Sequence, residues 1–269
     1  MKPEPFDVRQ LVLFRGISDT DAARVTTMLQ RVVFDTGARV LQKGLRGQNV
    51  YFLMRGSVKV CVVEYDREGE ERTVMLSMLG AGEVLGEVSA VDGYGHSADV
   101  IALEHCVFQT MSNADFCSCL DTMPRISRNL TTLMTKRLRA TTTHLHSLAT
   151  HDVRGRVARQ LASFGRRYSR PHQEEEIVIQ MRLTQTDLAE LVGASRVRVN
   201  EVMVNLKKEG IISVNSNCNV TIHKMPALLA RCGDGPTREE VEAENVADLP
   251  LDAPPRKNTK DGESGFALH

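Results

Sequence analysis

Between residues 31 and 110 the chain runs in short apolar segments, rich in β-branched and aromatic residues, with glycines between them. The segments are 32–34, 39–41, 50–54, 58–63, 73–76 and 107–109, and Gly37, Gly44, Gly47, Gly56, Gly69, Gly80 and Gly82 punctuate them. Side chains branched at Cβ favour the pleated sheet and glycines supply turns, so the pattern predicts strands. Many short strands at this spacing imply a sandwich or barrel-like roll. A short helix is predicted ahead of them over 18–29, with Ser18 or Asp19 as its N-cap.

Past Ala114 the period lengthens. Ile126, Leu130, Leu133, Arg137, Thr141, His144 and Leu148 recur at three- and four-residue steps, and Met134, Leu138 and Leu145 widen the stripe. So long a helix with so narrow a seam is expected to pair with a copy of itself; the other reading is a helix lying on the β-roll. A second amphipathic helix is predicted over 152–167, with Val153, Val157, Leu161 and Phe164 on one face. A polar loop (168–176) then leads into a strand (177–180), and 211–214 and 220–222 form a hairpin about the turn 215–219. After Met225 the pattern degrades. Residues 234–264 have no sustained period and are expected to be a disordered tail, with a short helix over 237–246.

Residues 183–208 carry the grammar of a helix-turn-helix. Thr184 is placed to cap a first helix whose Leu188, Leu191 and Val192 face inward, Gly193 supplies the turn, and Ser195 caps a second helix. There Val199, Val202, Met203 and Leu206 form the buried stripe, leaving Ser195, Arg196, Val197, Arg198, Asn200, Glu201 and Asn205 to solvent or DNA. A recognition helix enters the major groove by its N-terminal end. Arg196 is the best base reader, because its fork matches the two acceptors of guanine. Ser195, Thr184 and Thr186 suit phosphate contacts, and Gln185 lies among them.

Composition adjusts this picture at a few points. With 269 residues, 42% hydrophobic and 25% charged, the chain is long enough for two small domains. No segment approaches the roughly 18 to 20 apolar residues a membrane span needs, so a cytoplasmic protein with no membrane partner is expected. The 34 basic residues balance 34 acidic ones, but the bases recur over 125–170 and 182–208 while 233–269 is acidic, so the neutral total hides a basic face. Six cysteines lack the paired spacing of a zinc ribbon and are expected to be reduced thiols. Cys117 and Cys119 on one helix would point about 200° apart, so neither they nor His144, His146 and His151 are expected to hold a metal. No nucleophile elbow, zinc-protease helix or P-loop is present, and no catalytic residue is expected.

Three pieces together carry a resemblance: the run from Gly80 to Ser89 (Gly-Ala-Gly-Glu-Val-Leu-Gly-Glu-Val-Ser), the run from Asp152 to Ala158 (Asp-Val-Arg-Gly-Arg-Val-Ala), and the helix-turn-helix. Over about residues 10–226 the chain resembles the family of bacterial transcription regulators that includes the cyclic-AMP receptor protein and the fumarate and nitrate reduction regulator. The resemblance implies an α+β fold: a ligand-sensing, cyclic-nucleotide-binding-like β-roll of jelly-roll type (1–121), a dimerisation helix and hinge (122–152), a winged helix-turn-helix (153–226) and an acidic tail (227–269). It implies a homodimer bound to double-stranded DNA at a pseudo-palindromic operator, with RNA polymerase as a further partner. By resemblance Gly86 and Glu87, with Val88 beside them, hold the ribose of a cyclic nucleotide. Ser97 contacts its phosphate, Arg137 lines the pocket, and Thr141 and Thr142 touch adenine from both subunits.

Two departures qualify these implications. Cyclic-AMP binders grip the phosphate with an arginine where this chain has His96. A charged bidentate hydrogen bond contributes on the order of 1.5 to 3 kcal/mol, so its loss costs roughly ten- to a hundredfold in affinity. The effector is accordingly left open between cyclic AMP, another small molecule and none. In the recognition helix the family's Arg-Glu pair and second arginine become Arg196-Val197 and Glu201, which prefers a cytosine amino group. A competing function is a ligand-binding module acting through protein partners, which predicts no salt-sensitive DNA affinity.

Overall fold

The computed structural model describes residues 7–65, 68, 71–169 and 176–232. Beyond residue 232, the expected tail and its helix over 237–246 lie outside the described residues, as does most of the polar loop.

Two single 3-10 turns, Val8–Gln10 and Val12–Phe14, precede α1 (Asp19–Met28), where Ser18 accepts from the Asp21 amide as N-cap. Eight strands follow: β1 (Gln30–Phe34), β2 (Arg39–Leu41), β3 (Asn49–Arg55), β4 (Val58–Tyr65), β5 (Glu71–Leu79), β6 (Val84–Leu85), then, after α2 (Glu87–Asp92), β7 (Asp99–Ala102) and β8 (Cys106–Ser112). They form two four-stranded sheets, β1-β8-β3-β6 and β2-β7-β4-β5, with antiparallel pairings throughout. Between the sheets Leu41, Leu53, Val58, Leu79, Leu85, Val100 and Phe108 form one core. The strand pattern anticipated six of these segments and missed β6 and β7.

On the outer face of the first sheet a second core packs Val50, Phe52 and Met111 against Phe14, α3 (Asn113–Thr122) and the start of α4 (Pro124–Thr150). Proline at the first position of α4 separates it from α3, a break that the sequence reading did not place. The long seam of α4 is therefore divided. Ile126, Leu130 and Leu133 are buried against the chain's own β-roll, whereas Leu138, Leu145 and Leu148 are exposed. The reading of a helix lying on the β-roll holds for its first half.

α5 (Val153–Tyr168) starts from an Asp152 cap and continues through Tyr168, one residue into the stretch expected to be loop. β9 (Ile177–Val178), α6 (Gln185–Val192), α7 (Arg196–Lys208), β10 (Ile212–Val214) and β11 (Val220–Ile222) complete a winged helix-turn-helix, whose sheet runs β10-β11-β9. α8 (Met225–Leu229) lies where the pattern was read as degrading; Leu228 and Cys232 are buried in this unit's core, so its packing extends past residue 226. That core does not stop at the unit's edge. Met75 and Met78 of β5 and Leu103 of the β-roll belong to it.

Candidate DNA-binding surface and ligand site

The helix-turn-helix forms for reasons visible in its residues. Thr184 and Asp187 make a reciprocal capping box: the Asp187 amide donates to Thr184 Oγ1 (3.1 Å), and the Thr184 amide to Asp187 Oδ2 (3.1 Å). Gly193 ends α6 at φ +60°, a conformation glycine enters without Cβ strain, and Ser195 accepts from the Arg198 amide to start α7. Val199, Val202, Met203 and Leu206 are buried, which turns Arg196, Val197, Arg198, Asn200 and Glu201 to solvent. Val197 is 68% exposed, a large apolar side chain set on a polar face.

Two placements differ from expectation. The Thr184 hydroxyl also donates to Asp187 Oδ2, so it is committed within the cap rather than offered to a phosphate. Gln185 Nε2 donates to Asn200 Oδ1 (2.8 Å), joining the first residue of α6 to the recognition helix. Thr186 is exposed.

In the β-roll, Gly86 sits at φ +82° as the N-cap of α2 and delivers Glu87 into the interior, where it is 3% exposed. Glu87 Oε1 accepts from Arg137 Nη1 (2.5 Å). Its other oxygen, Oε2, is buried without a hydrogen-bond partner. Burial pushes the Glu87 carboxyl above its ordinary value, and Arg137 offsets that only in part. His96 is buried as well, its ring folded against Gly47, with Nδ1 2.8 Å from Ser89 Oγ. Burial holds its imidazole below the usual histidine range, which favours the neutral form. Ser97 and Val88 are exposed. Thr141 and Thr142 are exposed too, and Thr142 donates back to the Leu138 carbonyl (3.0 Å).

Sequence reasoning missed the residue on which this site rests. Glu83, quoted above only as part of a run, accepts from Arg137 Nη2 (3.0 Å) and from Arg167 Nη2 (2.6 Å) and Nε (3.1 Å). The Tyr168 hydroxyl lies 3.4 Å from it. Burial alone would push its carboxyl up; Arg167 and Arg137 outweigh burial and hold it below the ordinary carboxylate value. An arginine at position 137, one turn beyond the apolar Ile126, Leu130 and Leu133 of the seam, was the available signal that an acid must face it. Among the described residues no group of three or more His, Cys, Asp and Glu side chains is placed to hold a metal ion, and no helix is long and apolar enough to cross a membrane.

A β-roll joined by a long helix to a winged helix-turn-helix defines a DNA-binding transcription regulator as the class. Residues 31–123 match the cyclic nucleotide-binding domain family, and residues 155–231 match the Crp-like helix-turn-helix domain. The chain is 30% identical over 200 residues to the CRP-like cAMP-activated global transcriptional regulator of Mycobacterium tuberculosis, covering 74% of this chain and 87% of that one. Identity and coverage are the same for the cyclic AMP receptor protein of Thermus thermophilus. Among solved structures, FixK2 from Bradyrhizobium japonicum shares the fold at TM-score 0.64, with 16% identity over 76% of this chain and 96% of its own. The chain belongs to the CRP/FNR family of transcription regulators.

Proposed function

We propose that the chain works as a homodimer that binds a pseudo-palindromic operator, with an affinity set by a small ligand in the β-roll. The observation that carries this reading is the exposed face of α7, where Arg196, Val197, Asn200 and Glu201 stand on a fully packed helix. The ligand-sensing unit is assigned to 1–121, the dimer helix and hinge to 122–152, and the DNA-binding unit to 153 onward. The exposed half of α4, with Leu138, Leu145 and Leu148, is the face offered to a second copy, and pairing there would set two recognition helices about 34 Å apart, one turn of DNA. RNA polymerase is the further partner expected of such a regulator.

For the ligand, the two halves of a cyclic nucleotide fare differently. The free buried acceptor on Glu87 suits a hydroxyl such as that of a ribose, since a donor there would satisfy an oxygen that now has no partner. Of the two candidate cations for the phosphate, His96 is held toward its neutral form and turned to Ser89, and Arg137 is engaged by two carboxylates. The effector is therefore a hydroxyl-bearing small molecule, with cyclic AMP as the first probe.

The test is selection of operators from random duplexes, with and without cyclic AMP, on wild type and on His96→Arg. Enrichment of a pseudo-palindrome whose binding weakens steeply with salt is expected. No enrichment at any salt concentration would sink the reading in favour of a module that acts through proteins.

A further inference from the structure

We propose that Glu83 is the positioning residue that holds the DNA-binding unit against the β-roll, and that it shares the single guanidinium of Arg137 with Glu87 of the ligand site. The proposal rests on the regulator reading for its purpose, though not for its geometry.

Four charges from three parts of the fold meet here. Glu83 and Glu87 flank β6, Arg137 projects from α4, and Arg167 from the end of α5. Arg137 spans the two carboxylates and also donates to the Val84 carbonyl (2.6 Å). Arg167 and Tyr168, which belong to the DNA-binding unit, reach only Glu83 of the two acids. The Tyr168 ring lies over Gly80, where an added Cβ would come within 3.0 Å of it. Beside this cluster α6 rests on β5, with Lys59 of β4 3.4 Å from Glu190 of α6, and Met75 and Met78 enter the core of the DNA-binding unit.

Between α4 and α5 the chain passes through only His151 and Asp152, which cap the two helices. Contacts with the β-roll act beside this short link on the orientation of the unit. At the centre of those contacts the Glu83 carboxylate accepts from two guanidiniums, one on each side of the interface. Remove its charge and Arg167 loses its carboxylate partner while Arg137 keeps Glu87 alone as a carboxylate partner.

The two acids therefore make opposite predictions although both are buried and both touch Arg137. Labels on exposed Gln48 of the β-roll and Lys207 of α7, introduced as non-natural residues because six native cysteines are present, report the distance between units without DNA or ligand. Wild type and Glu87→Gln should give one short, narrow distance. Glu83→Gln and Arg167→Gln should both lose it, and the double variant should lose no more than either single one. Should Glu83→Gln fail to fold, Arg167→Gln carries the test, since that side chain is 36% exposed and tolerates substitution better. A wild-type distance in the folded Glu83 or Arg167 variant overturns the proposal, as does equal opening by Glu87→Gln. Failure of operator selection would remove the regulator reading and leave this measurement intact.

Discussion

His96 Nδ1 lies 2.8 Å from the Ser89 hydroxyl, buried where a relative that grips a phosphate would present an arginine. The pair satisfies both groups at the expense of any anion. Restoring the cation with His96→Arg should tighten cyclic-AMP binding by about ten- to a hundredfold, read by calorimetry. Equal affinities for the two proteins would mean that the phosphate is held elsewhere.

The same burial makes stability depend on pH. Burial holds the His96 and His144 imidazoles below their ordinary value, so the folded chain binds protons less readily than the unfolded one. Their contribution is fully present above the unfolded value of about 6.5 and is lost as pH falls through it toward the folded one. The thermal midpoint should fall between pH 7 and 5, and His96→Asn should flatten that fall. A slope unchanged by the substitution would place the proton uptake elsewhere.

Gly47 is required by the His96 ring, since a Cβ there would come within 2.4 Å of it. Gly47→Ala should destabilise by about 1–3 kcal/mol, the usual cost of overpacking, as measured by denaturant unfolding. Combined with His96→Ala it should cost less than the two single changes summed, because the clash is then gone.

On the recognition helix, Arg196→Ala should relax discrimination at one guanine by about 1–3 kcal/mol, and Glu201→Ala should do the same at a cytosine. Val197, 68% exposed, is placed for a thymine methyl. Selection with each variant reads out which base position loses its preference; an unchanged consensus would contradict the assignment of that residue.

Leu138 and Leu145 are 69% and 61% exposed on α4. Aspartate at both should give a folded monomer by analytical ultracentrifugation and abolish binding to full operators while sparing the β-roll core, which neither side chain enters. A dimer that survives both changes would place the interface on another surface.

Much of this was legible before any coordinates. The caps at Ser18, Thr184 and Ser195, the turn at Gly193 and the hairpin 211–222 are decided within a few residues of sequence, and each forms where its local chemistry calls for it. Short β6 and β7, the Pro124 break between α3 and α4, and α8 were not legible, because elements so short exist only through what they pack against.

By itself the sequence determined the family, the order of units and the face of α7 turned outward, since periodicity and capping act over three or four residues. Only the tertiary structure decided that His96 turns inward, that the seam of α4 divides at its middle, and that Arg137 answers to two acids. The last depends on groups 50 and 54 residues apart along the chain, Arg137 with Glu87 and Arg137 with Glu83, and Arg167 reaches the same Glu83 across 84 residues. A buried charge must find a partner, but only the folded chain selects which one.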